Sequence, residues 1–219
     1  MLNTLRVRWN QFLEETKEKS FGEALKKSIS RFIVLDRIVV PVYHHLAKLK
    51  PTVKTDATSS LEFLVVDESN VDALASMHMT TSRRLKGTTN TRLGYYSYAV
   101  ASNGEIIGDI WCATPRKVQT DPIHPDLSFL EIKCGENEAY MFDMYVPPDS
   151  RGKVITNYLL GGALNALKED GFDKVYGFYE KDNLPALWTH RLFGYTELEK
   201  RKYCRLLFFT KTKPVTSNE

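Results

Sequence analysis

The sequence is poor in cysteine and has no uninterrupted apolar run long enough to cross a bilayer. It also contains no internal repeat and no low-complexity tract. Cys112, Cys134 and Cys204 are an odd number at wide spacing with no CxxC pair. A disulfide framework and a zinc knuckle are therefore not expected, and a reducing cytoplasm fits best. The first twenty residues carry Glu14, Glu15 and Glu18 and lack an apolar core, so no secretory signal is expected there. His44-His45 has no acid or thiol at metal-ligand spacing and reads as surface or packing; no metal site is expected. Cys134 has no nearby His to activate it as a nucleophile. The basic turn "RRLKG" (83–87) is too short to indicate nucleic acid.

What is present is an ordinary globular composition, 42% hydrophobic and 26% charged over 219 residues, enough for one substantial core plus an appendage. The charge is uneven. Residues 1–54 hold eleven Lys or Arg against five acids, and the rest nineteen against twenty-two. The first 54 residues are therefore expected to form a basic, helical, amphipathic N-terminal arm and linker, and residues 55–219 the body. In "SRFIVLDRIVVPVYHHLAKL", Asp36, Arg37 and Pro41 interrupt the apolar stretch, so it does not span a membrane. Two readings stay open: a helix packed on the body, or a segment lying on an anionic membrane surface or a partner. "KLKPTVKTDATSS" reads as the linker.

In the body, "LEFLVV" (61–66) reads as a strand, and "SNVDALASMHMTTSRRL" as a helix through Val71, Leu74 and Met77. "YYSYAVASNGEIIGDIWCAT" is two β-rich runs around Asn103-Gly104, a hairpin signal. Trp111, Tyr95, Tyr96 and Tyr98 on these runs read as core and sheet-face aromatics. "TPRKVQTDPIHPDLS" reads as a polar loop and "FLEIK" as a short strand. "AYMFDMYV" (139–146) is apolar on both faces, which predicts a central strand. The next helix runs from about Arg151 to Glu169, with Ile155, Leu159, Ala163 and Leu167 on one stripe and Gly171 after its end. "KVYGFYE" is a strand, "NLPALWTHRLFG" a short helix from Asn183 to Gly194, and "YTELEK" and "YCRLLFFT" are closing strands. The fold class expected is α/β in the α+β sense: a mixed, mostly antiparallel central sheet covered by helices.

A strand entering a helix through a tight turn presents free backbone N–H groups and the positive end of the helix dipole, an anion site. In "VPPDSRGKVITNYLL" (146–160) that junction is Arg151, Gly152, Lys153, Val154, Ile155, Thr156. Further on, Asn183, Ala186 and His190 are followed by Phe193-Gly194-Tyr195. Together these resemble the GCN5-related N-acetyltransferase (GNAT) superfamily, which has Q/R-x-x-G-x-G/A opening a helix and later N-x-x-A-x-x-x-Y before a hydrophobic-Gly-Phe. The resemblance covers about 61–210 in element order and 139–195 in motif detail. Val154 and Thr156 stand where the family has glycines, and His190 where it has tyrosine.

The resemblance implies an acyltransferase that moves an acetyl or other acyl group from acyl-CoA to an amine acceptor. The coenzyme pyrophosphate would lie on the turn Arg151, Gly152, Lys153, Val154, Ile155, Thr156 and Asn157. The strand end Met144, Tyr145 and Val146 would offer backbone N–H to the acyl carbonyl, and Asn183 would touch the coenzyme. His190 would protonate the leaving thiolate. Asp143 is the acid within the central strand; partial burial would raise its pKa and make it the base, with Glu138 and Glu180 as rivals. Alternatives are a non-catalytic ligand-binding or interaction module, or an acyltransferase fed by a long-chain or acyl carrier protein thioester docked on the arm. A homodimer is left open. Nothing separates a small-molecule amine from a peptide as acceptor.

Overall fold

The computed structural model describes residues 7, 9–14, 16, 20–49, 58–70, 81–151, 154–206 and 209–215. In chain order the elements are α1 (Phe21–Phe32), β1 (Ile33–His45), β2 (Glu62–Val66), α2 (Thr81–Arg92), β3 (Tyr96–Ser102) and β4 (Glu105–Ala113). They continue with α3 (Pro125–Leu130), β5 (Glu138–Tyr145), α4 (Ile155–Glu169), β6 (Lys174–Glu180), α5 (Leu184–Phe193), β7 (Thr196–Glu197), β8 (Arg201–Leu206) and β9 (Phe209–Pro214). The strands form one sheet in the order β2-β3-β4-β5-β6-β1-β8-β9, with β7 pairing β1. The β5–β6 pairing is parallel and the others are antiparallel, the mixed, mostly antiparallel sheet that the sequence predicts.

The largest departure is in the first 54 residues. The expected helical arm contains the helix Phe21–Phe32 and then becomes a 13-residue strand inside the sheet. β1 pairs with β6 from Val39↔Glu180 to His45↔Lys174 and with β8 from Ile33↔Leu206 to Val39↔Arg201. Val39, Val40, Val42 and Leu46 are buried in the protein's own core, so these apolar residues are not a membrane-facing surface. Glu14, in the helical stretch through 9–14, accepts from the N–H and Oγ of Ser82 at 3.0 and 2.7 Å and so ties that stretch to α2. Residues 50–57 of the expected linker, and Val71, Leu74 and Met77 of the expected helix, lie outside the described residues.

The β3–β4 hairpin turns on Asn103 (φ 51) and Gly104 (φ 78), a two-residue loop closed by Ser102↔Glu105. Two positive φ values in succession suit Asn-Gly and match the right-handed twist of the strands. The expected strand "FLEIK" is absent. Its first half belongs to α3, where Pro125 takes the first helical position and His124 Nδ1 accepts from the Asp126 N–H. "YCRLLFFT" is divided between β8 and β9.

α4 packs Leu159, Ala163, Leu164 and Leu167 against Tyr96, Tyr98, Val100 and Cys112 on one face of the sheet. α5 covers the neighbouring strip of the same face through Ala186 and Leu187 on Val40, Val42 and Tyr179. α3 closes the opposite face with Leu127 and Leu130 near Trp111 and Tyr140. Gly162 marks a close approach, because a Cβ there would stand 2.5 Å from the Phe63 ring, which stacks on Tyr98 and meets Tyr158 edge-on. Gly162→Ala gains roughly 1 kcal/mol of helix propensity but overpacks a wedged ring at about 1–3 kcal/mol. A net loss of up to about 2 kcal/mol, read by urea unfolding, is expected; a stabilised variant would show that Phe63 moves freely.

Candidate active site

β5 is the strand on which the site is built. Its parallel pairing with β6 ends at Tyr140↔Tyr176, and beyond that point the two strands part. On its other side, Trp111 faces Phe142 whereas Asp109 faces Tyr145, so β5 spends one more residue than β4 over the same distance. Asp143, the residue in this bulge, has φ 53. A non-glycine residue there costs roughly 1–2 kcal/mol and persists because its surroundings hold it. A bulge turns backbone groups out of the ladder and makes them available to a ligand.

What holds it is α2. Arg83 Nη1 donates to the Asp143 carboxylate at 2.6 Å, and Nη2 donates to the Asp143 carbonyl at 2.8 Å and to Asp109 Oδ2 at 2.7 Å. Lys86, one turn on, reaches the same Asp143 oxygen at 2.6 Å, as the i, i+3 spacing of "RRLKG" allows. Burial pushes the Asp143 pKa up, but Arg83 and Lys86 outweigh it and the net direction is down. The expected upward shift is thus corrected. The carboxylate is anionic and saturated by cations, which makes it a weak proton acceptor. Asp109, which the sequence reading does not single out, is fully buried, and its pKa is pushed up to about 6 by burial against the opposing Arg83. Its signal is a lone acid amid Ile106, Ile107, Ile110 and Trp111.

Where β5 and β6 part, a cleft of about 410 Å³ opens, lined among others by Met141, Met144, Gly177, Tyr179, Asn183 and His190. Asp143 and Glu180 also reach it. Glu180 pairs with Arg37, and Glu138 with Lys174 at 2.7 Å, at the other end of β5. Tyr145 turns its ring to the other side, under Arg83 at 5.0 Å. Val146 and Ile155 bury their side chains against Gly108 and so hold the strand-to-helix turn close to the sheet.

Gly152 and Lys153 lie outside the described residues. Val154 is the N-cap of α4, with φ −61 and ψ −7 and no side-chain cap. This conformation needs no glycine, and the side chain is 38% exposed. The first-turn N–H groups of Ile155, Thr156 and Asn157 have no intrahelical acceptor. Arg151 donates from Nε to the Val146 carbonyl at 2.9 Å and is otherwise exposed. Asn183 caps α5, its Oδ1 accepting from the Ala186 N–H at 3.2 Å, and Gly194 ends the helix at φ 70.

His190 meets a residue the sequence reading sets aside. His44, on β1 and 2% exposed, places Nδ1 2.7 Å from the Gly194 carbonyl and Nε2 2.9 Å from His190 Nδ1. A carbonyl only accepts, so His44 Nδ1 carries a proton. Burial lowers the His44 pKa, and the neutral ring then presents a bare Nε2 that accepts from His190 Nδ1–H. Burial, with His44 adding to it, lowers the His190 pKa to about 4. His190 therefore lines the cleft as a neutral imidazole whose remaining nitrogen, Nε2, is an acceptor. This corrects the expectation of a resting proton donor. Burial pushes Cys134 up to about 12, and among the described residues no group of three or more His, Cys, Asp or Glu is placed to hold a metal.

A strand bulged at its split from a parallel neighbour thus leads toward the first turn of α4, whose backbone N–H groups lack intrahelical acceptors. The chain belongs to the acetyltransferase (GNAT) family, whose model matches residues 58–195. Among solved structures, it is similar to the GCN5-related glucosamine N-acetyltransferase region of a fungal multi-domain GH3 β-N-acetylglucosaminidase. That match has 18% identity and TM-score 0.58, and covers 84% of this chain and 22% of that one. A GCN5-related N-acetyltransferase from Sphaerobacter thermophilus matches at 13% identity and TM-score 0.51, over 87% of this chain and 56% of that one. A Drosophila protein matches at 12% identity and TM-score 0.51, over 85% and 57%. The chain thus spans less than two thirds of the length of each, and the likeness is one of fold. A comparison with curated proteins finds no match.

Proposed function

We propose that this chain transfers an acyl group, with acetyl the first to test, from an acyl-CoA thioester to an amine by direct attack. The observation that carries this reading is the Asp143 bulge at the point where β5 leaves β6, beside the cleft that ends at Asn183 and His190. The residues fit the co-substrate. The first turn of α4 and Arg151 would hold the pyrophosphate, the cleft would take the pantetheine arm and the thioester, and the backbone near Met144 would donate to the acyl oxygen as negative charge develops there.

Titration calorimetry with acetyl-CoA and a longer acyl-CoA, followed by thiol release with glucosamine, a polyamine or a peptide as acceptor, tests it. Heat with both and thiol release with one acceptor is expected. Heat without turnover across acceptors would favour the non-catalytic module, and no heat at millimolar ligand would remove the reading. Gly177 supplies a structural check, since a Cβ there meets only the Met141 carbonyl, at 3.4 Å. Gly177→Val should fold normally, yet its methyls enter the cleft and should weaken acetyl-CoA binding by about tenfold or more, ~1.4 kcal/mol.

A further inference from the structure

His44 and His190 lie 146 positions apart in the chain and on different elements, β1 and α5, yet their rings meet at 2.9 Å within one cleft. The hydrogen-bond direction is set from outside the pair, because the Gly194 carbonyl obliges His44 to donate from Nδ1. His44 can then receive only at Nε2, and His190 must give it Nδ1–H. Among the described residues no hydrogen bond reaches His190 Nε2, so the bare nitrogen is left for the cleft. Tyr179 and Tyr195, at ring separations of 5.5 and 5.9 Å, pack around the His190 ring and limit its rotation.

We propose that His44 is the positioning residue of a two-histidine relay that makes His190 first the proton acceptor for the attacking amine and then the donor to the departing sulfur. The inference rests on the acyl-transfer reading of the same cleft. The amine lone pair forms the C–N bond at the thioester carbonyl, and the amine proton passes to His190 Nε2. The resulting imidazolium keeps its Nδ1–H on His44 Nε2, which shares the new charge toward the Gly194 carbonyl. The C–S bond then breaks with its electron pair on sulfur, and the proton on Nε2 goes to the thiolate. The products are an amide and a free thiol, and His190 is neutral again. Neither step requires Asp143, whose carboxylate is already held by Arg83 and Lys86.

The test compares His44→Phe with His44→Gln in the full chain. Phenylalanine fills the buried space and accepts nothing; glutamine can still accept from His190 Nδ1–H through Oε1. The phenylalanine variant should lose ~10²-fold in kcat, the scale of acid-base catalysis, with KM for acetyl-CoA within about threefold. The glutamine variant should recover roughly tenfold of that loss. Equal losses in both, or an unchanged kcat in His44→Phe, would overturn the relay. If His44→Phe does not fold, nitrogen-15 NMR of the wild-type histidines decides: Nδ1 protonated and Nε2 bare on His190 is expected, and the reverse tautomer overturns the proposal. A wild-type protein that neither binds acetyl-CoA nor releases thiol would instead remove the acyl-transfer reading, and the shuttle with it. Turnover in the wild type with a normal rate in His44→Phe removes the relay alone.

Discussion

Arg83→Met should be the most damaging single change in the body, costing about 3–5 kcal/mol because it strands buried charge. Asp109 is fully buried and Asp143 largely so, and the Arg83 guanidinium is the cation that reaches both. At roughly 2–4 °C per kcal/mol for a chain of this size, Tm should fall by about 10 °C. Adding Asp109→Asn should return part of the loss, since the amide can be buried without a counter-charge. Differential scanning calorimetry of the two variants checks this, and a double variant no more stable than Arg83→Met would mean that Asp109 is satisfied by something else. Turnover should fall with stability, because the same arginine holds the Asp143 carbonyl in the bulge.

The second large effect is a pH dependence of stability that belongs to His190. Its pKa in the folded chain is about 4, against an ordinary ~6.5 when unfolded. Between those values the unfolded chain binds a proton that the native one refuses, so stability contributed by the neutral ring is present above pH 6.5 and lost as pH falls toward 4. At 1.36 kcal/mol per unit the contribution is roughly 3 kcal/mol. His44, shifted the same way by burial, adds to it. Asp109 opposes it: with a folded pKa of about 6, the native state takes up a proton before the unfolded one and gains stability as pH falls below 6. The wild-type curve is therefore flattened, and the histidine contribution is read by difference. His190→Phe should become more stable relative to wild type by up to about 3 kcal/mol between pH 7 and pH 4 in urea titrations. A pH-independent difference would place the His190 pKa near its ordinary value.

These effects depend on contacts that sequence reading could not supply, even though much of the frame around them was legible. Asn103-Gly104 needs two positive φ values and finds them; Asn183 and Gly194 bracket α5 because one caps and the other ends it; the Ile155, Leu159, Ala163 stripe of α4 faces the sheet. Asp143 is legible as an acid on an apolar strand, but the sign of its pKa shift depends on Arg83, 60 positions earlier in a helix. His44 has no acid or thiol at metal-ligand spacing in sequence, and its partner in the fold lies on α5. β1 was obscured by Pro41 and by the basic charge around it. Yet Val39, Val40 and Val42 are β-branched, and Pro41 fits the strand by accepting at its carbonyl from the Leu198 N–H at 2.8 Å.

The place of β1 also has a consequence during synthesis. Arg37 meets Glu180 across 143 positions of chain, so β1 is made long before β6 and β8, its neighbours on either edge. At the usual pace of ribosomes that interval is on the order of ten seconds. Throughout it Val39, Val40 and Val42 present an unpaired edge, the kind of surface that chaperones hold and that misassociates when unprotected. The cleft cannot form earlier either, because 146 positions separate His44 from His190. A nascent chain stalled before residue 174, where β6 begins, should therefore remain bound to a holdase.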